Sequence, residues 1–499
     1  MLYHSSRGQT PAVPAAMAIK LGIAPDGGLF LPASIPSLTP DDLDRLRGLP
    51  YAELAARVVS LFLTDYTLEE LRGQAQTAYG PDRFDHPDVT PLIQLDEGTH
   101  VLELWHGPTA AFKDLALQLM PHLLTAAMAK TGAHGEIVIL VATSGDTGKA
   151  ALEGFRDVPG TRIIVFYPSE GVSLVQKLQM VTQEGGNTAV VGVDGNFDDA
   201  QTGVKQIFAD RAIEAELAGH NQHFSSANSI NWGRLVPQIA YYVYAYVKLV
   251  ETGAIGPGDP INVAVPTGNF GNILAAYYAK AMGLPFNRLI CASNQNKVLT
   301  DFIHTGVYDR RRTFHTTVSP SMDILISSNL ERLLFLLAGR EPAQVRLWMD
   351  SLRQEGRYQV GDEILGQLRA GFWGGFADED ETYTAIGRVW REHGYLLDTH
   401  TAVGWHVLED YRRRTGDPTP AVLASTASPF KFGAAVLRAV AGEKALTGRD
   451  ELRLVEDLAA LTKMPIPAGL RDLGARPVKH ERRCAPAGMR AEVRDILGI

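Results

Sequence analysis

The sequence predicts an α/β protein built on two wound parallel sheets, and three features carry that expectation. Continuous apolar runs, EIVILVAT (136–143), TRIIVFY (161–167) and NTAVVGV (187–193), alternate with the helical patterns KAALEGF, SLVQKLQMVTQ and FDDAQTGVKQIFADRAI. A second series begins with INVAVPT (261–267) and RLICAS (288–293), separated by ILAAYYAKAM. Two of the turns that follow such runs are rich in glycine. Strands apolar on both faces are buried on both faces, so helices must cover each side and the strands must run parallel. Ligands of such sheets sit beyond the carboxyl ends of the strands, at helix N-termini, which directs attention to those turns.

Around that core the chain divides further. Residues 1–95 read as an N-terminal accessory domain, with helical periodicity in YAELAARVVSLFL (51–63) and a turn-rich break at Gly80-Pro81 and His86-Pro87. Residues 96–300 and 396–440 form the α/β core in two subdomains, 301–395 a helix-rich insertion, and 441–499 a C-terminal extension. A chain of 499 residues exceeds one compact core, and 45% hydrophobic with 21% charged residues is an ordinary globular composition. The net charge of -9 argues against a nucleic-acid partner, and the short clusters Arg310-Arg311-Arg312, Arg412-Arg413-Arg414 and Arg482-Arg483 read as solvated faces. Cys291 and Cys484 alone provide neither a disulfide framework nor a cysteine zinc cluster, which fits a reducing cytosol. MLYHSSRGQT lacks a signal-peptide pattern, and no run approaches about 18 apolar residues, so a cytoplasmic protein without a membrane partner is expected.

Three local patterns carry chemistry. In ATSGDTGKAA, the residues Ser144, Gly145, Asp146, Thr147 and Gly148 join a strand to a helix and offer bare N–H groups and hydroxyls to a carboxylate or phosphate; a plain helix start capped by Ser144 or Asp146 is the alternative. This is not a P-loop, because Thr143 and Ala150 stand where that pattern needs glycine and a hydroxyl residue. In VPTGNFGNILAA, Gly268, Asn269, Phe270, Gly271 and Asn272 form a second such turn; Pro266 breaks the dinucleotide fingerprint, a lone phosphate still suits the loop, and a common glycine turn before a helix is the alternative. HGPTAAFKD (106–114) sets Lys113 among small and apolar residues that disfavour its ammonium; an ordinary lysine at a helix start is the alternative.

In that order the three patterns resemble the threonine synthase family, pyridoxal-phosphate enzymes of fold type II in the tryptophan-synthase-β-like superfamily. YHSSRG with LGIAPDGGLFLP, SSANSINWGRLVPQ (225–238), SPSMDILISSNLERLL (319–334), DTHTAVGW (398–405) and ASTASPFKF (424–432) agree, from Tyr3 to about residue 440. Thr399 departs from a common proline and Ser428 from a common histidine. The resemblance implies pyridoxal 5'-phosphate as cofactor, bonded covalently by Lys113, which once released becomes a base beside the substrate's α-carbon. It implies that Gly268, Asn269, Phe270, Gly271 and Asn272 hold the cofactor phosphate, that Thr426 faces the pyridine nitrogen, and that Asp146 lies near the ring hydroxyl. A hydroxyl rather than a carboxylate at the ring nitrogen suits elimination and replacement more than transamination.

The implied reaction is conversion of O-phosphohomoserine and water to L-threonine and phosphate, the last step of threonine biosynthesis. Ser144, Thr147, Lys149, Asn231 and Arg234 are expected at the substrate, with Lys431 a further candidate cation. Each of these charges has a surface or structural alternative, and Asn228 and Asn231 equally suit helix caps. His400 has no spaced ligand partner, so no metal is expected and a packed histidine is favoured. Two other readings stand beside this one: a phospholyase yielding 2-oxobutyrate, ammonia and phosphate, and a catalytically silent cofactor-binding protein. A monomer or homodimer is expected.

Overall fold

In the computed structural model, which describes residues 1–143, 145–169 and 172–499, the chain forms two large sheets whose strands interleave along the sequence. The five-stranded sheet is wholly parallel, in the order Arg482–Cys484, Thr188–Val193, Thr161–Pro168, Glu136–Ala142, Gln222–Ser225. The six-stranded sheet runs Phe372–Phe376, Phe286–Ser293, Ile261–Pro266, Ala421–Ser425, Thr99–Glu103, Leu92–Asp96, and only its last pair is antiparallel. All five apolar runs read from the sequence are strands, and Ile261–Pro266 is buried along its whole length. Burial on both faces is why these strands carry no polar alternation.

The sheets draw on more of the chain than 96–300 and 396–440. FWGGF (372–376), within the stretch expected to be a helical insertion, pairs in parallel with Leu289–Ser293, and Arg482–Cys484, from the C-terminal extension, pairs in parallel with Val191–Val193. Neither has an apolar run to announce it: the first is rich in glycine, and the second is an exposed, charged edge strand of the kind that resists further pairing. The last helix, Met489–Leu497, buries Met489, Val493 and Leu497 against the same sheet.

The N-terminal region joins the main core. Leu2–Ser5 lies between Val13–Pro14 and Phe30–Pro32 in a small antiparallel sheet. The helix Tyr51–Phe62 buries Tyr51, Leu54, Ala55, Val58, Val59 and Phe62, the helical spacing its sequence displays. These side chains share one cluster with Trp232–Glu251, a long helix buried along nearly its entire length. Among the described residues no helix is long and apolar enough to cross a membrane.

One buried guanidinium ties these parts together. Arg332, fully buried, donates to the Phe30 carbonyl at 3.0 Å, to the Ile230 carbonyl at 2.6 Å and to Asn329 Oδ1. It thereby links the N-terminal region, the turn before helix Trp232–Glu251 and the segment that packs on the glycine loop at 268. Arg332→Ala leaves three acceptors and a cavity in the core, so a loss of about 3–5 kcal/mol is expected. Urea unfolding measures this, and a loss under about 1 kcal/mol, the ordinary cost of a surface change, contradicts the tie.

Candidate active site

Two adjacent strand ends create the site. Beyond the paired strands Thr99–Glu103 and Ala421–Ser425, the chain segments continue side by side: Leu104 N–H donates to Ser425, Phe112 N–H to the Thr426 carbonyl at 2.9 Å, and Ser428 N–H to Ala110 at 3.0 Å. HGPTAAFKD is thus laced to ASTASPFKF. At its start His106 is held between Asp85, 2.7 Å from Nδ1, and Glu103, 2.8 Å from Nε2. Burial alone lowers the His106 pKa, but the two carboxylates outweigh it and raise it to about 9. Ala110 then adopts φ of 57°, a left-handed conformation that costs a non-glycine residue strain and turns the chain into Lys113.

Lys113 is buried at the start of helix Lys113–Leu117. Its Nζ lies 3.5 Å from Asp146 Oδ2 and 3.2 Å from Ser321 Oγ. Asp146, at the start of helix Asp146–Phe155, also binds Lys431 Nζ at 2.9 Å and Gln176 Nε2 at 3.1 Å through Oδ1. The Asp146–Lys431 pair is nearly dry, with side-chain exposures of 4% and 0%. Desolvation alone raises the Asp146 pKa, but Lys431 first and then Lys113 hold it well below the ordinary carboxylate range. For Lys113 the signs reverse. Burial pulls its pKa below that of a free lysine, Asp146 resists, and the charges of Lys431 and Arg234 add to the depression. A buried amine of lowered basicity is suited to act as nucleophile and base near neutral pH.

The glycine loop forms the next wall. It links strand Ile261–Pro266 to the eleven-residue helix Gly271–Ala281, and Phe270 takes φ of 60° at the helix start. A Cβ on Gly268 meets the Ser321 carbonyl at 2.5 Å, so only glycine permits this close approach. Ser327 Oγ donates to the Gly268 carbonyl at 2.7 Å, and Asn329 donates through both N–H and Nδ2 to the Asn269 carbonyl. The hydroxyls of Tyr241 and Tyr242 occupy Asn272 Oδ1, while Asn272 Nδ2 is buried with no partner among the described residues. An orphan donor at the positive end of a helix, beside backbone stripped of side chains, fits a phosphate.

Arg234 is a second uncompensated donor. It is buried, gives one bond from Nη1 to the Ala227 carbonyl at 2.9 Å, leaves Nε without a partner, and pairs with no carboxylate among the described residues. Burial alone lowers its pKa to about 10. Holding such a cation without a counter-ion is costly unless an anion arrives to meet it.

The other expected residues divide between the site and structural work. Thr147 is half-buried in the first turn after Asp146, and Thr426 is buried beside Phe112. Lys149, expected at the substrate, is committed instead to Glu153 at 3.1 Å and to Gln183, because the following helical turn places an acid four residues on. Asn231, also expected there, caps its helix: Oδ1 accepts from Gly233 N–H at 2.9 Å, and Nδ2 donates to the carbonyls of Ile19 and Ser226. Ser144 lies outside the described residues. Ser321, Gln176, Asp398 and His400 were not singled out as site residues by the sequence reading, and the first two touch Lys113 or Asp146 directly. His400 reaches the same place through Ser321, whose N–H it accepts at 3.1 Å.

A buried, weakly basic lysine between an ionised aspartate and a phosphate-ready glycine loop defines a class, and comparison with known proteins gives it a name. Residues 84–426 match the model of pyridoxal-phosphate dependent enzymes. Residues 2–79 match that of the threonine synthase N terminus, and 401–482 that of the threonine synthase C-terminal region. The chain is 42% identical to a threonine synthase of Pseudomonas aeruginosa, covering 89% of this chain and 91% of that one. It is also 42% identical to human threonine synthase-like 1, over 85% of this chain, but spans only 57% of that longer relative. Its fold matches a PLP-bound threonine synthase from Brucella melitensis with a TM-score of 0.87 at 37% identity, covering 99% of both chains. The yeast threonine synthase matches with a TM-score of 0.88 at 32% identity, over 100% of this chain and 99% of that one. The chain belongs to the threonine synthase family of pyridoxal-phosphate enzymes.

The Arg234 geometry yields a paired expectation. Arg234→Met removes a buried charge that lacks a carboxylate partner, so the ligand-free protein should melt no lower than the parent, while stabilisation by added inorganic phosphate or sulfate should weaken about tenfold in apparent affinity. Thermal denaturation with and without those anions reads both. A fall in melting temperature with unchanged anion affinity contradicts the assignment.

Proposed function

We propose that this chain converts O-phosphohomoserine and water to L-threonine and inorganic phosphate, and that Lys113 is its catalytic amine. The observation that carries the reading is the Lys113 nitrogen itself, buried, depressed in basicity, and fixed beside an aspartate that stays ionised. Full-length similarity to the Pseudomonas aeruginosa threonine synthase supports the choice of reaction within the class.

Roles follow from the chemistry of each position. Gly268, Asn269, Phe270, Gly271 and Asn272 hold the cofactor phosphate, where N–H groups, the orphan Asn272 amide and the helix dipole act together. Thr426 would meet the ring nitrogen of the bound cofactor and Asp146 its ring hydroxyl. Bound pyridoxal phosphate supplies a conjugated sink for the negative charge that develops when a substrate proton is lost. Lys113 Nζ takes the proton from the substrate's Cα. Loss of a Cβ proton then accompanies departure of the γ-phosphate, a proton is added at Cγ, the oxygen of water is added at Cβ, and Lys113 returns a proton to Cα, so one water enters for each phosphate released.

The substrate carries a carboxylate and a phosphate dianion, and Arg234 and Thr147 are the donors we assign to them. Lys431 serves differently: by pairing with Asp146 it keeps a carboxylate in a dry site without letting that carboxylate capture a proton. We place the protein in the cytoplasm, consistent with two free cysteine thiols, as a monomer or homodimer.

Incubation with O-phosphohomoserine should release phosphate and L-threonine in equal amounts. Lys113→Ala should slow this at least about a thousandfold and abolish the lysine-linked visible absorbance of the bound cofactor. Product analysis with a phosphate assay checks both. Dominant 2-oxobutyrate and ammonia, or an active Lys113→Ala protein, overturns the reading.

A further inference from the structure

Ser321 is 208 positions from Lys113 in sequence, in the short 3-10 turn Pro320–Met322, yet its Oγ lies 3.2 Å from Lys113 Nζ and 3.4 Å from Asp146 Oδ2. A serine hydroxyl has one hydrogen and two lone pairs. Ionised Asp146 is an acceptor only, so the hydroxyl hydrogen goes to Asp146, and a lone pair of Oγ is left for an N–H of Lys113. Asp146 Oδ2, 3.5 Å from Nζ, takes another.

A neutral amine has two hydrogens and one lone pair. With one hydrogen on Ser321 and the other on Asp146, the remaining corner of the nitrogen, the lone pair, points away from both. That is the orbital needed to take a proton from carbon. Asp146 alone leaves the amine free to rotate about a single hydrogen bond. Ser321 removes that freedom.

The turn that carries Ser321 is itself held. His400 Nε2 accepts the Ser321 N–H at 3.1 Å, and His400 Nδ1 lies 3.0 Å from Asp398 Oδ1. Since Asp398 accepts, the ring hydrogen sits on Nδ1, and Nε2 is free to receive the backbone donor. Asp398 is fully buried and is fixed in turn by the N–H groups of His400 at 2.8 Å and Thr401 at 3.3 Å and by the Thr401 hydroxyl. From the other side, Asn294 Nδ2 donates to Ser319 Oγ at 3.0 Å, and the Ser321 carbonyl packs on Gly268. A carboxylate–imidazole pair spent on one backbone N–H makes sense when the position of the next side-chain atom matters.

We propose that Ser321 is a further catalytic residue, the second acceptor that aims the Lys113 amine at the substrate's Cα, and that His400, oriented by Asp398, is its positioning residue. The proposal rests on Lys113 being the base. The step it serves breaks the Cα–H bond, forms an N–H bond at Nζ and leaves the electron pair with the substrate. No other donor or acceptor of electrons is required.

The test compares Ser321→Ala and His400→Gln with the parent and with Lys113→Ala, all loaded with pyridoxal phosphate. Losing one aligned hydrogen bond is expected to lower kcat about tenfold in Ser321→Ala, with KM changed less than about twofold. The kinetic isotope effect with Cα-deuterated substrate should increase, because proton transfer becomes more limiting. His400→Gln should show the same pattern to a smaller degree. A readout independent of turnover is the rate at which ligand-free protein captures added pyridoxal phosphate, followed by visible absorbance. That step needs the same lone pair, and Ser321→Ala should slow it about tenfold.

If Lys113→Ala is inactive while Ser321→Ala keeps kcat, isotope effect and capture rate within about twofold of the parent, this proposal fails and the reading of Lys113 survives. A lower melting temperature in the variants with unchanged isotope effect and capture rate is the signature of a merely structural turn, and it also overturns the proposal. An active Lys113→Ala removes the foundation of both.

Discussion

The arrangement depends on keeping several charges in a place that is largely shielded from water. Two ammonium groups, Lys113 and Lys431, share the carboxylate of Asp146, and Arg234 adds a third cation within electrostatic range of Lys113. Charges so buried cost far more than at the surface unless each is met by a partner. Lys431 and Asp146 meet each other closely, which leaves Lys113 the less satisfied of the two lysines and the easier to neutralise. Reactivity at Lys113 is thus a consequence of desolvation and of its cationic neighbours acting together, with Asp146 restraining the shift while it orients the amine.

The fold exists to hold that cluster. Each member stands at or beyond the carboxyl end of a parallel strand, or on a segment clamped to one: Asp146 follows Glu136–Ala142, the glycine loop follows Ile261–Pro266, and Lys431 and Thr426 follow Ala421–Ser425. The stretch 319–329 closes the third side by gripping the carbonyls of Gly268 and Asn269. Positive φ at Ala110 and Phe270 marks where the backbone is bent into the site against its own preference.

Local chemistry was legible in the sequence where it is local. The strands announced themselves by unbroken apolar runs, and Lys113 and the loop 268–272 by composition around single turns. For Lys149 and Asn231 the sequence left a structural alternative open beside the substrate role, and the contacts seen are structural: Glu153 one helical turn after Lys149, and Asn231 capping the helix that starts at Trp232. His400 was read as an ordinary packed histidine because its partner is a backbone N–H from a distant turn, which no spacing in the sequence encodes. Ser321 lies in SPSMDILISSNLERLL, a stretch that carries the resemblance, but its contact with Lys113 across 208 positions is encoded by no spacing. A residue whose role comes from three segments meeting in space leaves no periodic or composition signal.

The central claim, that burial and neighbouring cations make Lys113 a weak base, is tested most directly on the ligand-free protein. Reductive methylation of Lys113 at a series of pH values, followed residue by residue by peptide mass spectrometry, gives the pH at which its amine becomes half neutral. A midpoint clearly below the ordinary lysine value of about 10.4, with surface lysines such as Lys205 titrating normally in the same sample, is the expected result. A Lys113 midpoint equal to or above that of the surface lysines contradicts it.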